Sequence, residues 1–173
     1  MFMKLGVFGS ACNPITLGHY DAINEALKYF DKILIVPSFC HPFGKNMIDF
    51  EHRCTMVNLF IDDLNLSSKV ELSKAEKEIY NGVDPVYTYF LLLHFKKTFS
   101  NMDISFICGQ DVFDNLSNFT YYKEIINNFK IHNIGERVNI RSSLVRSSIN
   151  NNEKISHMLS DSVYQYILDN SLY

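Results

Sequence analysis

A run of small residues near the amino terminus separates a short apolar segment from an amphipathic one. The run comprises residues 9–19, Gly-Ser-Ala-Cys-Asn-Pro-Ile-Thr-Leu-Gly-His. A turn of this kind gathers backbone N–H groups and the positive end of a helix dipole around one point, where phosphate binds well. Thr16 and His19 are three residues apart and so share a face of the first helical turn. We predict a phosphate-binding turn in which both side chains point at the anion, with His19 as the catalytic imidazole.

A second anion-binding group is predicted in the C-terminal part of the chain. Ser142 and Ser143 are expected to open a short helix, and Arg146 follows them by one turn. Two hydroxyl groups, the free N–H groups of a helix start and a guanidinium together form an anion clamp. Arg141 either adds positive charge to this clamp or faces solvent, and the sequence leaves both open.

The elements that would position these residues alternate between strand and helix. Residues 4–8 and 32–37 are continuous apolar runs, which are typical of strands covered on both faces. Apolar residues at helical spacing lie between them, so this segment forms a βαβ unit. The further predicted elements are helices over about 50–64, 85–97 and 121–127, strands at 70–72, 104–108 and 130–134, a short helix from Ser142, and a last helix with Asp161 as its N-cap.

This alternation predicts an α/β fold. We expect a Rossmann-like, doubly wound parallel sheet of about five strands with helices on both faces and a short C-terminal helical segment. Residues 1–173 are interpreted as a single domain. Ligands of such folds bind at the carboxyl ends of the strands. The three candidate loops, 9–19, 37–45 and 109–111, each follow a predicted strand directly, as one shared site requires.

Composition and charge exclude several classes of function. The net charge of −3 gives no support for a nucleic-acid partner. The four cysteines lack CxxC spacing and no signal peptide is recognised, which favours free thiols in a reducing compartment. No apolar run is long enough for a membrane span. We therefore expect a cytoplasmic protein without a membrane partner, and without a tightly bound metal because no ligand cluster has zinc spacing.

Five segments, in order along the chain, resemble the motifs of the nicotinate or nicotinamide mononucleotide adenylyltransferases, a family of the T/HxGH nucleotidyltransferase superfamily. The resemblance runs nearly end to end. The matching segments are residues 8–19 for the phosphate loop that ends in TxGH, residues 36–53 with His41, Gly44-Lys45 and Arg53 for a basic loop and an arginine-bearing helix, residues 86–88 for the YT motif, residues 107–111 for GxD, and residues 140–146 for ISSTxIR.

The resemblance implies adenylyl transfer from ATP to a pyridine mononucleotide, with Mg²⁺ entering alongside ATP. Such a reaction needs no protein nucleophile, because the phosphate of the mononucleotide attacks the α-phosphorus of ATP and pyrophosphate leaves. The protein positions the substrates and stabilises charge. In this scheme His19 donates a hydrogen bond to the α-phosphate. Thr16, which stands where many relatives have a histidine, donates from its hydroxyl group.

The resemblance also assigns the binding residues. The proposed ATP contacts are Gly9, Ser10, Gly18 and His19 in the turn, Gly109 and Asp111 after the fourth strand, and Ser142, Ser143 and Arg146 at the β- and γ-phosphates. The proposed mononucleotide contacts are Lys45, Arg53, Thr88 and Phe119, with Phe119 or Tyr121 replacing the tryptophan that relatives stack on the pyridine ring. Arg53 either binds phosphate or pins the loop through a carboxylate.

Three alternative functions share part of this sequence pattern. Phosphopantetheine adenylyltransferase shares the TxGH motif, although the segments after residue 36 fit it less well. A degenerate nucleotide-binding paralogue is suggested by departures from the family pattern at Ser10, Ala11, Cys12 and Arg141. A dinucleotide-dependent oxidoreductase is disfavoured because the first loop is not GxGxxG. The sequence separates neither nicotinate from nicotinamide mononucleotide nor a monomer from a homo-oligomer.

Overall fold

A parallel five-stranded sheet lies at the centre of the computed structural model, which describes residues 2–40, 44 and 46–173. The strands are β1 (Met3–Ser10), β2 (Lys32–Pro37), β3 (Val70–Leu72), β4 (Met102–Gly109) and β5 (Lys130–Ile134). Their order is β3-β2-β1-β4-β5, and every pairing is parallel. The order reverses at β1, next to β4, which is where this class of fold binds ligands. The predicted fold class is confirmed.

Helices cover both faces of the sheet. They are α1 (Leu17–Ala26), α2 (Phe50–Asp63), α3 (Ala75–Ile79), α4 (Thr88–Thr98), α5 (Gln110–Asp114), α6 (Tyr122–Asn128), α7 (Ser142–Asn150) and α8 (Asp161–Asp169), with 3₁₀ turns at Leu116–Asn118 and Ser156–Met158. One apolar core packs α1, α2, α7 and α8 against the first face of the sheet. The other packs α3, α4 and α6 against the second face. Both faces of the strands are therefore buried, as their continuous apolar runs indicate.

Several element boundaries differ from the predicted ones for local physical reasons. The helix predicted from about residue 85 begins at Thr88, because Tyr87 is extended. Asp161 is the first residue of α8 rather than its N-cap, a position that Ser160 occupies. The first turn of α8 is capped from another helix instead, since Asp63 accepts hydrogen bonds from the backbone N–H and hydroxyl group of Ser162 at 2.9 and 2.6 Å.

The helices of the described part of the chain are too short or too polar to cross a membrane.

Candidate active site

The turn between β1 and α1 holds His19 at the carboxyl end of the sheet. The backbone N–H of Thr16 donates to His19 Nδ1 at 3.1 Å, and Thr16 Oγ1 lies 2.9 Å from the same atom. A backbone N–H can only donate, so Nδ1 is an acceptor and the proton of the neutral imidazole is on Nε2. Nε2 lies 3.1 Å from Ser10 Oγ, at the end of β1. The Nε2–H group therefore donates to Ser10 Oγ, and the orientation of the ring is defined from both of its nitrogens.

Burial keeps this imidazole uncharged. Desolvation lowers the pKa of His19 to about 4, and the carboxylate of Asp111 opposes that change only in part. Because this pKa lies well below neutral pH, the side chain of the free protein is a neutral donor there. A neutral imidazole can donate a hydrogen bond to a phosphate oxygen, and its protonation state does not change in the neutral pH range.

The side chain of Thr16 is oriented differently from the predicted orientation. Its side chain is fully buried, and its hydroxyl group contacts His19 instead of facing the anion. The reason is that Thr16 is the N-cap of α1, so its hydroxyl group turns back over the first helical turn. In this structure the hydroxyl group of Thr16 is therefore turned toward His19, and its predicted contact with the anion stays a prediction. Thr16 is a positioning residue that fixes the tautomer and orientation of His19.

The start of α7 lies directly against the phosphate turn. Ser142 Oγ donates to the carbonyl oxygen of Pro14 at 2.7 Å, and Arg146 Nη1 donates to that of Asn13 at 2.6 Å. Ser143 is exposed in the first turn of the same helix. The structure therefore brings the two predicted anion-binding groups together, although they are more than 120 residues apart in sequence.

Gly18 allows this close approach. A Cβ atom at residue 18 would lie 2.1 Å from the carbonyl oxygen of Ile140, just before α7. We expect Gly18→Ala to lower the free energy of unfolding by about 1–3 kcal/mol, the usual cost of overpacking. The matched control is Gly135→Ala, because a Cβ atom there meets open space. Denaturant unfolding checks this, and equal effects of the two variants would show that the approach tolerates a side chain.

Arg141 lies next to Asp111, at the start of α5, which follows β4 directly. Arg141 donates to both carboxylate oxygens of Glu136, at 3.0 and 2.6 Å, and lies 3.9 Å from Asp111. Its charge is therefore matched by carboxylates rather than directed into the clamp. Gly109 ends β4, whereas Asp111 lies in the first turn of α5 with an exposed side chain.

Arg53 is buried and joins the loops behind the site. Its Nε donates to the carbonyl oxygen of Ile48 at 3.0 Å, and its Nη1 donates to those of Ala11 and Ser38 at 2.8 and 2.7 Å. Only 1% of its surface is exposed, so the prediction that Arg53 contacts the mononucleotide does not fit the structure. It pins the loop, the second of its two predicted roles, through carbonyl oxygens rather than a carboxylate.

Asn13 was not among the predicted site residues, yet it links three segments. Its Oδ1 accepts from the backbone N–H of Ile48 at 3.3 Å, its Nδ2 donates to the carbonyl oxygen of Asn46 at 3.4 Å, and its own carbonyl oxygen accepts from Arg146. The only sequence signal for this role was its place inside the small-residue turn.

The residues predicted to hold the pyridine ring lie on the second face of the sheet, which α3, α4 and α6 cover. Thr88 is the half-buried first residue of α4, and Phe119 packs against the second apolar core. Tyr121 belongs to an aromatic cluster with Tyr89 and Phe90, at ring distances of 5.7 and 4.9 Å. A cavity of about 420 Å³ opens beside this cluster. Two further predicted residues, His41 and Lys45, lie outside the described residues.

Within residues 2–40, 44 and 46–173, no group of three or more His, Cys, Asp or Glu side chains has the arrangement of a metal site.

Comparison with known proteins places this geometry in a family. Residues 7–151 match the family model described as cytidylyltransferase-like. The chain belongs to the cytidylyltransferase-like family. This chain is also similar to a Vibrio parahaemolyticus protein of known structure, provisionally assigned as a nicotinate-nucleotide adenylyltransferase. It is 33% identical, with a TM-score of 0.86 over 99% of this chain and 95% of that one.

Two other proteins are similar to this chain. A Flavobacterium johnsoniae protein, also provisionally assigned as a nicotinate-nucleotide adenylyltransferase, is 28% identical over 99% of both chains. Plasmodium falciparum nicotinic acid mononucleotide adenylyltransferase has been solved in complex with APC and with NaAD. It is 20% identical with a TM-score of 0.80, covering 99% of this chain and 97% of that one, which shows the shared fold. The chain is thus a nucleotidyltransferase of the nicotinate-nucleotide adenylyltransferase type.

Proposed function

We propose that this enzyme transfers the adenylyl group of ATP to nicotinate mononucleotide, giving nicotinate adenine dinucleotide and pyrophosphate. The observation that carries the proposal is the neutral imidazole of His19, with its Nδ1 held by Thr16 and its Nε2–H presented at a turn to which the start of α7 is bonded. The assignments of the relatives support the choice of nicotinate mononucleotide as acceptor.

The reaction is an in-line displacement at phosphorus. A phosphate oxygen of the mononucleotide forms a bond to the α-phosphorus, and the bond from that phosphorus to the oxygen bridging the α- and β-phosphates breaks. The attacking phosphate is already ionised, since the second pKa of a phosphate ester is about 6, so no general base is needed. His19 Nε2–H donates to an oxygen of the α-phosphate, where charge is redistributed in the transition state.

We assign each part of ATP to residues around the turn. The start of α7, with Ser142, Ser143 and Arg146, takes the β- and γ-phosphates, because free N–H groups and a guanidinium favour anions. Gly9, Ser10 and Gly18 allow the backbone to approach the α-phosphate, while Gly109 and Asp111 take the nucleoside. Thr88 and Phe119 remain the proposed contacts of the pyridine mononucleotide.

We expect a Mg²⁺ ion to arrive with ATP, held mainly by the phosphate oxygens of the nucleotide. Mg²⁺ binds oxygen ligands, keeps several waters and uses few protein side chains when substrate phosphates are present. We therefore expect activity to be lost in excess chelator and restored by added Mg²⁺, and the purified protein to contain no stoichiometric zinc. A pyrophosphate-release assay and elemental analysis check the two parts. Full activity in chelator would contradict the first, and bound zinc the second.

The proposed function is tested by a pyrophosphate-release assay with ATP and three acceptors, each supplied separately. We expect kcat/KM to be highest with nicotinate mononucleotide, lower with nicotinamide mononucleotide and negligible with phosphopantetheine. A preference for phosphopantetheine would replace the proposal with that alternative. Binding of ATP without turnover on any acceptor would identify a nucleotide-binding protein that has lost the reaction.

A further inference from the structure

Glu76 is a buried carboxylate that the proposed reaction does not use. It is the second residue of α3, and only 7% of its surface is exposed. Its Oε2 accepts a hydrogen bond from the backbone N–H of Phe39 at 2.7 Å. Glutamate is rarely buried to this extent, because removing a carboxylate from water is costly unless a partner compensates. The partner here is the second residue of the loop that follows β2.

The side chain of Phe39 is fixed as firmly as its N–H group. Its ring packs edge-on against Phe50 of α2 and against Tyr80 at the end of α3, each at 5.1 Å. Phe39 therefore makes two kinds of contact with the α3 segment: the hydrogen bond to Glu76 and the ring contact to Tyr80. These contacts set where the loop leaves the sheet.

The preceding residue, Ser38, connects the same loop to the phosphate turn. Its backbone N–H donates to the carbonyl oxygen of Ser10 at 2.9 Å. Its carbonyl oxygen shares Arg53 Nη1 with that of Ala11. Ser38 therefore connects Phe39, its neighbour in the loop after β2, to the turn between β1 and α1.

We propose that Glu76 is a positioning residue that sets the affinity for the mononucleotide, by holding the loop after β2 through its hydrogen bond to Phe39. The inference rests on the proposed function and on the prediction from the sequence that Lys45, in the loop after β2, contacts the mononucleotide. Glu76 itself touches neither substrate, so its effect should appear in the KM for the mononucleotide and not in kcat.

The charge on Glu76 changes in the neutral range. Burial raises the pKa of Glu76 to about 7, against the opposing effects of the Phe39 N–H group and the Arg53 guanidinium. The thiol of Cys12, in the turn between β1 and α1, is a further titratable group that interacts electrostatically with Glu76. Burial raises the pKa of this thiol to about 12, so it stays neutral. On the side of α3, Lys74 and Lys77 are paired with Glu51.

The hydrogen bond between Glu76 and Phe39 determines in which direction the KM for the mononucleotide changes with pH. A hydrogen bond to an ionised carboxylate is about twice as strong as one to a neutral acceptor. Above pH 7 the ionised Glu76 holds Phe39 tightly, and below pH 7 the protonated form holds it less well. The KM for the mononucleotide should therefore fall as the pH rises through 7, in addition to any change from ionisation of the substrate.

Steady-state kinetics between pH 6 and 8.5 test this with Glu76→Gln and a matched control, Glu78→Gln. The glutamine keeps an oxygen acceptor but cannot ionise, whereas Glu78 is exposed in the same helix. We expect the ratio of the mononucleotide KM of Glu76→Gln to that of the parent to rise from about one at pH 6 to about fivefold at pH 8.5, with a midpoint near 7. The control should give a flat ratio, and kcat and the KM for ATP should stay within about twofold. A ratio independent of pH would overturn the inference.

Hydrogen exchange of the Phe39 amide provides a readout that needs no substrate. In Glu76→Ala this N–H group loses its acceptor, so its exchange at pH 7.5 should be about tenfold faster than in Glu78→Ala. Absence of turnover in the parent protein would refute the proposed function. The exchange rate would then decide alone whether Glu76 holds the loop, and equal rates in the two variants would show that it does not.

Discussion

Replacing His19 with alanine should lower kcat by about 10²–10³-fold while the protein stays folded. The loss of one preorganised donor to charge in the transition state typically has an effect of this size. The imidazole is neutral and its Nε2–H is set by the bonds that Thr16 makes to Nδ1, so water in the vacated space would be a poorly oriented substitute. Pyrophosphate release at saturating substrates measures the effect, and circular dichroism checks the fold.

A matched control is His52→Ala. His52 is also a hydrogen-bonded histidine, with Nδ1 lying 2.8 Å from the hydroxyl oxygen of Tyr166, but this contact ties α2 to α8. Its removal should change stability and leave kcat near that of the parent. A folded His19→Ala enzyme with nearly unchanged kcat would remove His19 from the chemistry.

Arg146→Ala should raise the KM for ATP by one to two decades and affect the KM for the mononucleotide less. The expected loss is that of a charge-assisted hydrogen-bonded pair, roughly 1.5–3 kcal/mol. Arg146 also donates to the carbonyl oxygen of Asn13, so the alanine variant loosens the turn as well as removing a phosphate contact. Arg146→Lys should rescue the KM only in part, because an ammonium group restores charge without the planar set of donors.

Arg141→Ala separates the effect of charge from that of position. It removes a positive charge at the start of the same helix, but the guanidinium of Arg141 is already paired with the carboxylate of Glu136. We expect its KM for ATP to stay within about threefold of the parent value, as for an exposed ion pair. If Arg146→Ala instead left the KM for ATP unchanged and raised that for the mononucleotide, the two substrates would have to be exchanged in the site.

The sequence by itself determined the fold class and the position of the turn between β1 and α1. Both follow from signals confined to short stretches of chain. The apolar runs of β1 and β2 indicate strands buried on both faces, and the small residues before His19 indicate a turn that opens a helix. Helices α3 and α5 were missed because five residues are too few to show a helical period.

Only the tertiary structure decided what the polar groups around the turn do. The partners of Arg53 lie up to 42 residues away, Glu76 meets Phe39 across 37 residues, and Arg146 meets Asn13 across 133. The hydroxyl group of Thr16 turns inward because the residue is an N-cap with a buried side chain. A hydrogen bond depends on the final distance between two atoms and on the loss of water around them, and neither quantity is encoded in the spacing of residues along the chain.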